Sequence, residues 1–225
     1  MEEEVKAIGE VAKTAGKAIE ATTKAGQFIA QYLKGSLAEA FGIIEDKLKY
    51  LRWERRVRLI DRATELLHQR GLAEPTRSVP MSIMVPILQL GSMEENNTLQ
   101  DLWAQLLVSA ADADSGIVVV PAFIGILQNL SSHDAAILEK IYSVSEEYER
   151  QALIMYQLPE KVLTERLQVE IDPPVDVQLS LGNLDRLGLI DGSVLLGGGP
   201  SNRYAYQTVL GRAFMKACRG KELQG

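Results

Sequence analysis

LQDLWAQLLVSAADADSG (residues 99–116) and VPAFIGILQNLSSHDAAIL (residues 120–138) are the runs from which the fold is read most directly. In the first, Leu99, Leu102, Trp103, Leu106, Leu107 and Ala110 recur at helical spacing, which predicts a helix over residues 94–111 and a turn over 112–116. In the second, Pro121 suits the first residue of a helix, because its missing N–H is one that a helix start leaves unpaired anyway. That helix is expected to reach Leu130. Ser131, Ser132, His133 and Asp134 then have the form of a capping box, opening a further helix through about residue 149.

Working upstream, residues 73–80 (AEPTRSVP) hold two prolines and no periodicity, and read as a connector. A short helix is expected over residues 82–90, with Pro86 near its start or kinking it. Before the connector, Trp53, Val57, Ile60 and Leu67 continue an apolar stripe that Gly71 is placed to cap. Residues 47–62 hold seven bases against the two acids Glu54 and Asp61. Arg52, Arg55 and Arg56 are therefore candidate contacts for phosphate or an anionic headgroup. The competing reading, which is preferred, is a face that pairs with acidic residues of this or another chain.

Residues 1–34 form the least ordinary segment. With Ile8 at heptad position d, the seam runs through Ile8, Ala12, Ala15, Ile19, Gly26, Ile29 and Leu33. Lys6, Glu10, Lys13, Lys17, Glu20, Lys24 and Lys34 all fall on the adjacent b and f positions. A surface helix is normally polar over half its circumference; this one has a thin charged stripe and small or apolar residues elsewhere. Gly9, Gly16, Gly26, Gly35 and Gly42 each cost about 0.8–1 kcal/mol relative to Ala in a helix. The segment therefore needs partners: its own bundle, a second copy in a coiled coil, or a membrane surface. The balance of Lys and Glu weighs against the membrane.

Downstream, residues 159–169 are expected to be helical, Pro173–Pro174 a break, and residues 177–187 a helix capped by Gly188. Strands are expected at 194–196 and 203–206 around Gly197–Gly199, followed by a closing helix containing Leu210, Gly211 and Phe214. Helix, hairpin and closing helix have the outline of a winged helix. In such modules the second helix often reads DNA, but here it offers Arg186 beside Asp185, with Arg203 on the wing. A groove reader needs more bases and amides, so DNA binding is the less favoured reading.

The charge is uneven. Residues 1–71 carry 13 Lys/Arg against 11 Asp/Glu, residues 72–175 carry 5 against 15, and residues 176–225 carry 6 against 4. The acidic middle disfavours polyanions. One cysteine, Cys218, excludes an intramolecular disulfide and a Cys-based zinc site, and fits a reducing cytoplasm. No secretory signal is read at the acidic start, and neither uncharged stretch, 78–93 or 115–133, reads as a span once its prolines are counted. No phosphate-binding loop, nucleophile elbow or metalloprotease motif occurs. An enzyme is not expected, nor a cofactor, a metal or a small-molecule substrate.

Taken together, "LxxLWAxLL" with its acidic lead-in, "PxFIxILxxLS" and "DAxIL" resemble the abortive-infection protein alpha (Abi-alpha) family, bacterial proteins associated with phage resistance. These are packing and capping motifs, and the family supplies no catalytic residues to carry over. The expectation is a mainly α protein in three parts: a long N-terminal amphipathic helix or hairpin (1–72), a central helical bundle (73–150) and a small winged-helix-like α+β module (151–225). The resemblance implies a phage-defence interaction or effector protein, acting by self-assembly or membrane association. Its partners would be copies of itself or other proteins, in the cytoplasm or at the inner face of the membrane. A DNA-binding regulator is the alternative.

Overall fold

The computed structural model describes residues 27, 28, 31, 53–144, 151–164, 171–194 and 200–219. The proposed N-terminal seam (Ile8, Ala12, Ala15, Ile19, Gly26, Ile29, Leu33) and Arg52 lie outside them. Among the described residues the fold is mainly helical, with seven α-helices and a small antiparallel sheet. The chain divides into two compact units, Met1–Pro121 and Ala122–Gly225.

In the first unit, α1 (Trp53–Gln69), α2 (Met81–Met93) and α3 (Asn97–Ala111) pack on one another. α1 buries Leu59, Ile60, Ala63, Leu66 and Leu67, one face of a 3.6-residue period. It ends where Gly71 takes φ +75°. There the Gly71 N–H donates to His68 O (2.8 Å) and the Leu72 N–H to Leu67 O (3.0 Å), the two bonds of a Schellman cap.

α2 starts and ends beyond the expected 82–90, and Pro86 sits inside it. The bond that Pro86 cannot make would have gone to the carbonyl of exposed Ser82, where water is at hand. Gly91 lets α2 approach its neighbours, since a Cβ there would lie 3.0 Å from both Leu59 Cδ2 and Trp103 Cβ.

α3 starts at Asn97 and not at Glu94. The Asn96 side chain accepts from the Leu99 N–H (3.1 Å), and Glu94 is turned back onto the Asn96 N–H (2.8 Å). Trp103, Leu106, Leu107 and Val108 of α3 are at most 2% exposed. At its far end Arg77 donates to the carbonyls of Ala110 (2.7 Å) and Ser109 (2.9 Å), acceptors that the helix terminus leaves open, and to that of Ile117 (2.9 Å) beyond it. A 3₁₀ turn, Ala113–Ser115, fills the expected turn region.

The second unit contains α4 (Pro121–Gln128) from its second residue on, α5 (Ser132–Tyr142), β1 (Leu153–Ile154), α6 (Val175–Arg186), β2 (Ile190–Val194), β3 (Pro200–Gln207) and α7 (Val209–Arg219). The capping box of α5 is present in both directions: Ser131 Oγ accepts from the Asp134 N–H (3.1 Å), and Asp134 accepts from the Ser131 N–H (2.9 Å). α5 stops at Tyr142, short of residue 149, because the Ser143 hydroxyl and N–H both fold back onto the Lys140 carbonyl.

Residues 159–164 are not the start of a helix. Leu158 and Glu160 N–H groups close turns onto Met155 and Gln157, and Ile154 exchanges backbone bonds with Leu163 (2.9 and 3.2 Å). Those donors are thus committed to a hairpin-like return, and residues 165–169 lie outside the described ones.

The sheet order is β1–β3–β2, all neighbours antiparallel. The first strand of the hairpin comes earlier than expected, at Ile190, pairing Ile190 with Gln207 and Gly192 with Ala205. Gly188, φ +71°, turns the chain out of α6 directly into it. Phe123 of α4 meets Phe214 of α7 edge-on, with ring centroids 5.7 Å apart.

At the centre, the Tyr142 hydroxyl donates to Leu189 O (2.5 Å) and accepts from the Thr208 N–H (3.1 Å). Gly211 lies against it so closely that a Cβ would fall 1.9 Å from that hydroxyl.

Candidate functional site

The basic face of α1 turns toward α3. Arg55 donates to Glu94 O and Asn97 Oδ1, both at 2.8 Å. Arg58 donates to Gln100 Oε1 and Asp101 Oδ1, both at 2.7 Å, and Arg62 reaches Glu65 (2.6 Å) and Asp101 (3.2 Å). The Arg62 pKa is raised, first by its hydrogen bond to Glu65. Arg56 is half-buried, and loss of water draws its pKa below the ordinary value.

Glu54, Asp61, Glu65 and Asp101 line an open groove here with Val57, Arg58 and Arg62. Four carboxylates against two guanidiniums make it a poor anion site. Among the described residues no group of three or more His, Cys, Asp or Glu is placed to hold a metal ion.

In the second unit Arg186 donates to Asn183 Oδ1 (2.7 Å) on its own helix. Arg203 pairs with Asp172 at 2.6 Å, and that bond holds the Asp172 carboxyl below the usual carboxylate range. His133 Nε2 lies 3.5 Å from Asp176. The Cys218 thiol is buried, and burial pushes its pKa well above the ordinary thiol value, so it stays protonated and inert at neutral pH.

Arg55 and Arg56 belong to α1, while Arg186 and Arg203 stand on separate elements of the second unit. Sequence reasoning passed over the outer face of α6, where Val175 and Leu179 are 71% and 73% exposed. It also passed over Gln100, fully buried, whose amide donates to the Arg55 and Gly91 carbonyls (2.9 and 2.8 Å). A lone amide inside an apolar stripe is a legible signal for such a tie.

A model of the abortive infection alpha family matches residues 54–218. The chain belongs to the abortive infection alpha family. No curated protein and no solved structure matches it significantly. The span matched to this abortive infection alpha protein runs from the first turn of α1 to the last turn of α7. Membership ties the chain to abortive infection, a phage-defence response. Among the described residues no helix is long and apolar enough to cross a membrane.

Proposed function

We propose that this abortive infection alpha protein is a phage-defence interaction or effector protein that works by self-assembly or membrane association of residues 1–34, without catalysis. The family match over residues 54–218 is the observation that carries the defence role. The assembly role is supported by the register of Ile8, Ala12, Ala15, Ile19, Gly26, Ile29 and Leu33, which gives the segment an apolar seam and one thin charged stripe. The chain works in the cytoplasm, at the inner face of the membrane when the segment engages lipid. Residues 151–225 serve as a winged-helix-like interaction module: β1 joins β3 beside the β2–β3 hairpin, and α6 leads into that hairpin.

Replacing Ile19→Asp and Ile29→Asp together in the full chain tests the reading. The pair is expected to abolish phage protection and to lower either the assembly mass or co-sedimentation with liposomes, while circular dichroism keeps the helical signal of residues 53–219. Unchanged protection, mass and sedimentation would overturn it.

A further inference from the structure

We infer that the outer face of α6 is a self-association seam, on which two copies of the chain pair antiparallel through Val175, Leu179 and Gly182, with Arg186 of each reaching Asp176 of the partner subunit. Residues 175, 179, 182 and 186 are spaced four, three and four apart, the step of a coiled-coil seam. They form one line on the side of α6 opposite its buried residues Val177, Ser180, Leu181 and Leu184. The line is open to solvent: Val175 is 71% and Leu179 73% exposed, and among the described residues nothing beyond the helix's own neighbouring backbone lies within 4 Å of where a Gly182 Cβ would stand. Ile171, just before the helix, is 63% exposed and extends the same apolar character.

Self-pairing is favoured by the order of these groups along the helix. α6 has its acid, Asp176, in the first turn and its base, Arg186, in the last. A parallel pair would set like charge against like. An antiparallel pair centred between Leu179 and Gly182 seats each Leu179 in the gap left by Gly182 of the partner subunit. It also carries each Arg186 to the acidic first turn opposite, and opposes the helix dipoles. The Asp176 side chain keeps 67% of its exposure despite His133 at 3.5 Å, so it is available to a second copy.

α6 has 12 residues, about 18 Å of helix. One such contact is smaller than the ~800 Å² per partner of a standard interface, so the pairing is weak alone. It gains avidity when another segment of the same chain also assembles.

Sedimentation velocity of the full chain over a concentration series reads this directly, done in both the wild type and the Ile19→Asp, Ile29→Asp background so that N-terminal assembly is separated out. Leu179→Glu is expected to weaken dimerisation by about tenfold or more. Arg186→Asp weakens it too, and adding Asp176→Arg to Arg186→Asp restores it, a rescue that requires the two positions to meet between identical chains. Circular dichroism keeps the folding of these exposed-site variants in view.

The inference is overturned if Leu179→Glu leaves self-association unchanged, or if the reversed charge pair fails to rescue. It is also overturned if the background chain stays monomeric near 1 mM and Leu179→Glu instead abolishes pelleting with anionic phosphatidylglycerol vesicles, which would assign the face to lipid. If the N-terminal reading alone is wrong, the Ile19→Asp, Ile29→Asp background sediments like the wild type and the α6 series still responds.

Discussion

α1 and α6 both carry arginines that a sequence reading singles out for an anionic partner, and the two helices place them in different company. On α1, the singled-out Arg55 and its neighbours Arg58 and Arg62 end on Glu94 O, Asn97, Gln100, Asp101 and Glu65. On α6, Arg186 turns to Asn183 of the same helix and stands at the end of an exposed apolar row. A count of bases along a sequence is therefore a poor measure of the field they project. Charge that meets its counter-charge within a unit gives little attraction at a distance, whereas exposed apolar residues at seam spacing keep their need for a partner.

The comparison breaks most sharply if the support beneath α6 is removed. That support is the Tyr142 hydroxyl, which ties α5 to Leu189, just beyond the end of α6, and to Thr208, at the start of α7. Gly211→Val puts a branched side chain where even a Cβ would stand 1.9 Å from that hydroxyl and 2.2 Å from the Leu189 carbonyl. No rotamer relieves a clash with backbone, so urea denaturation should show a loss of about 3 kcal/mol or more. A loss below about 1 kcal/mol would mean the junction yields, and α6 is not rigidly presented.

On the α1 side, Asp101→Asn removes the carboxylate shared by Arg58 and Arg62. The Arg58 and Asp101 side chains are about a third exposed (32% and 33%), so the stability cost should stay within about 1 kcal/mol. What should change is the field: Arg58 loses its carboxylate partner and Arg62 is left with Glu65 alone, so retention on heparin at low salt should rise and be erased by added salt. If retention does not move, Asp101 is not what restrains the basic face.

Helices with their own start and stop signals were readable in the sequence: the Trp103 stripe, the Ser131–Asp134 box and the Gly71 and Gly188 caps all carry local chemistry. Features set by distant partners were not. Nothing near Pro159 announces that Ile154 bonds Leu163, nor does residue 190 announce that its strand partner is Gln207. The same division holds for the candidate site. The bases were visible as residue types, but their neutralisation depends on α3 lying beside α1, some forty residues along the chain. Val175, Leu179 and Gly182 were passed over because a helix's outer face is defined only once its inner face is known.

The smallest expected effect concerns the cap that ties α5 to α6. Burial acts to raise the Asp134 pKa, but hydrogen bonds from Ser180, Ser131 and Asn183 outweigh it and hold the carboxyl below its ordinary value. A folded pKa below the unfolded one, near 3.9, means that the carboxylate stabilises the fold above about pH 4 and that this contribution is lost as pH falls through the folded value. Asp134→Asn removes the charge at every pH, so it should cost about 1 kcal/mol at neutral pH. The gap between variant and wild type in urea midpoints should then narrow below about pH 4. A gap that stays constant through that range would show that the shape of the cap, and not its charge, holds α5 to α6. The seam on α6 would then be presented by packing alone.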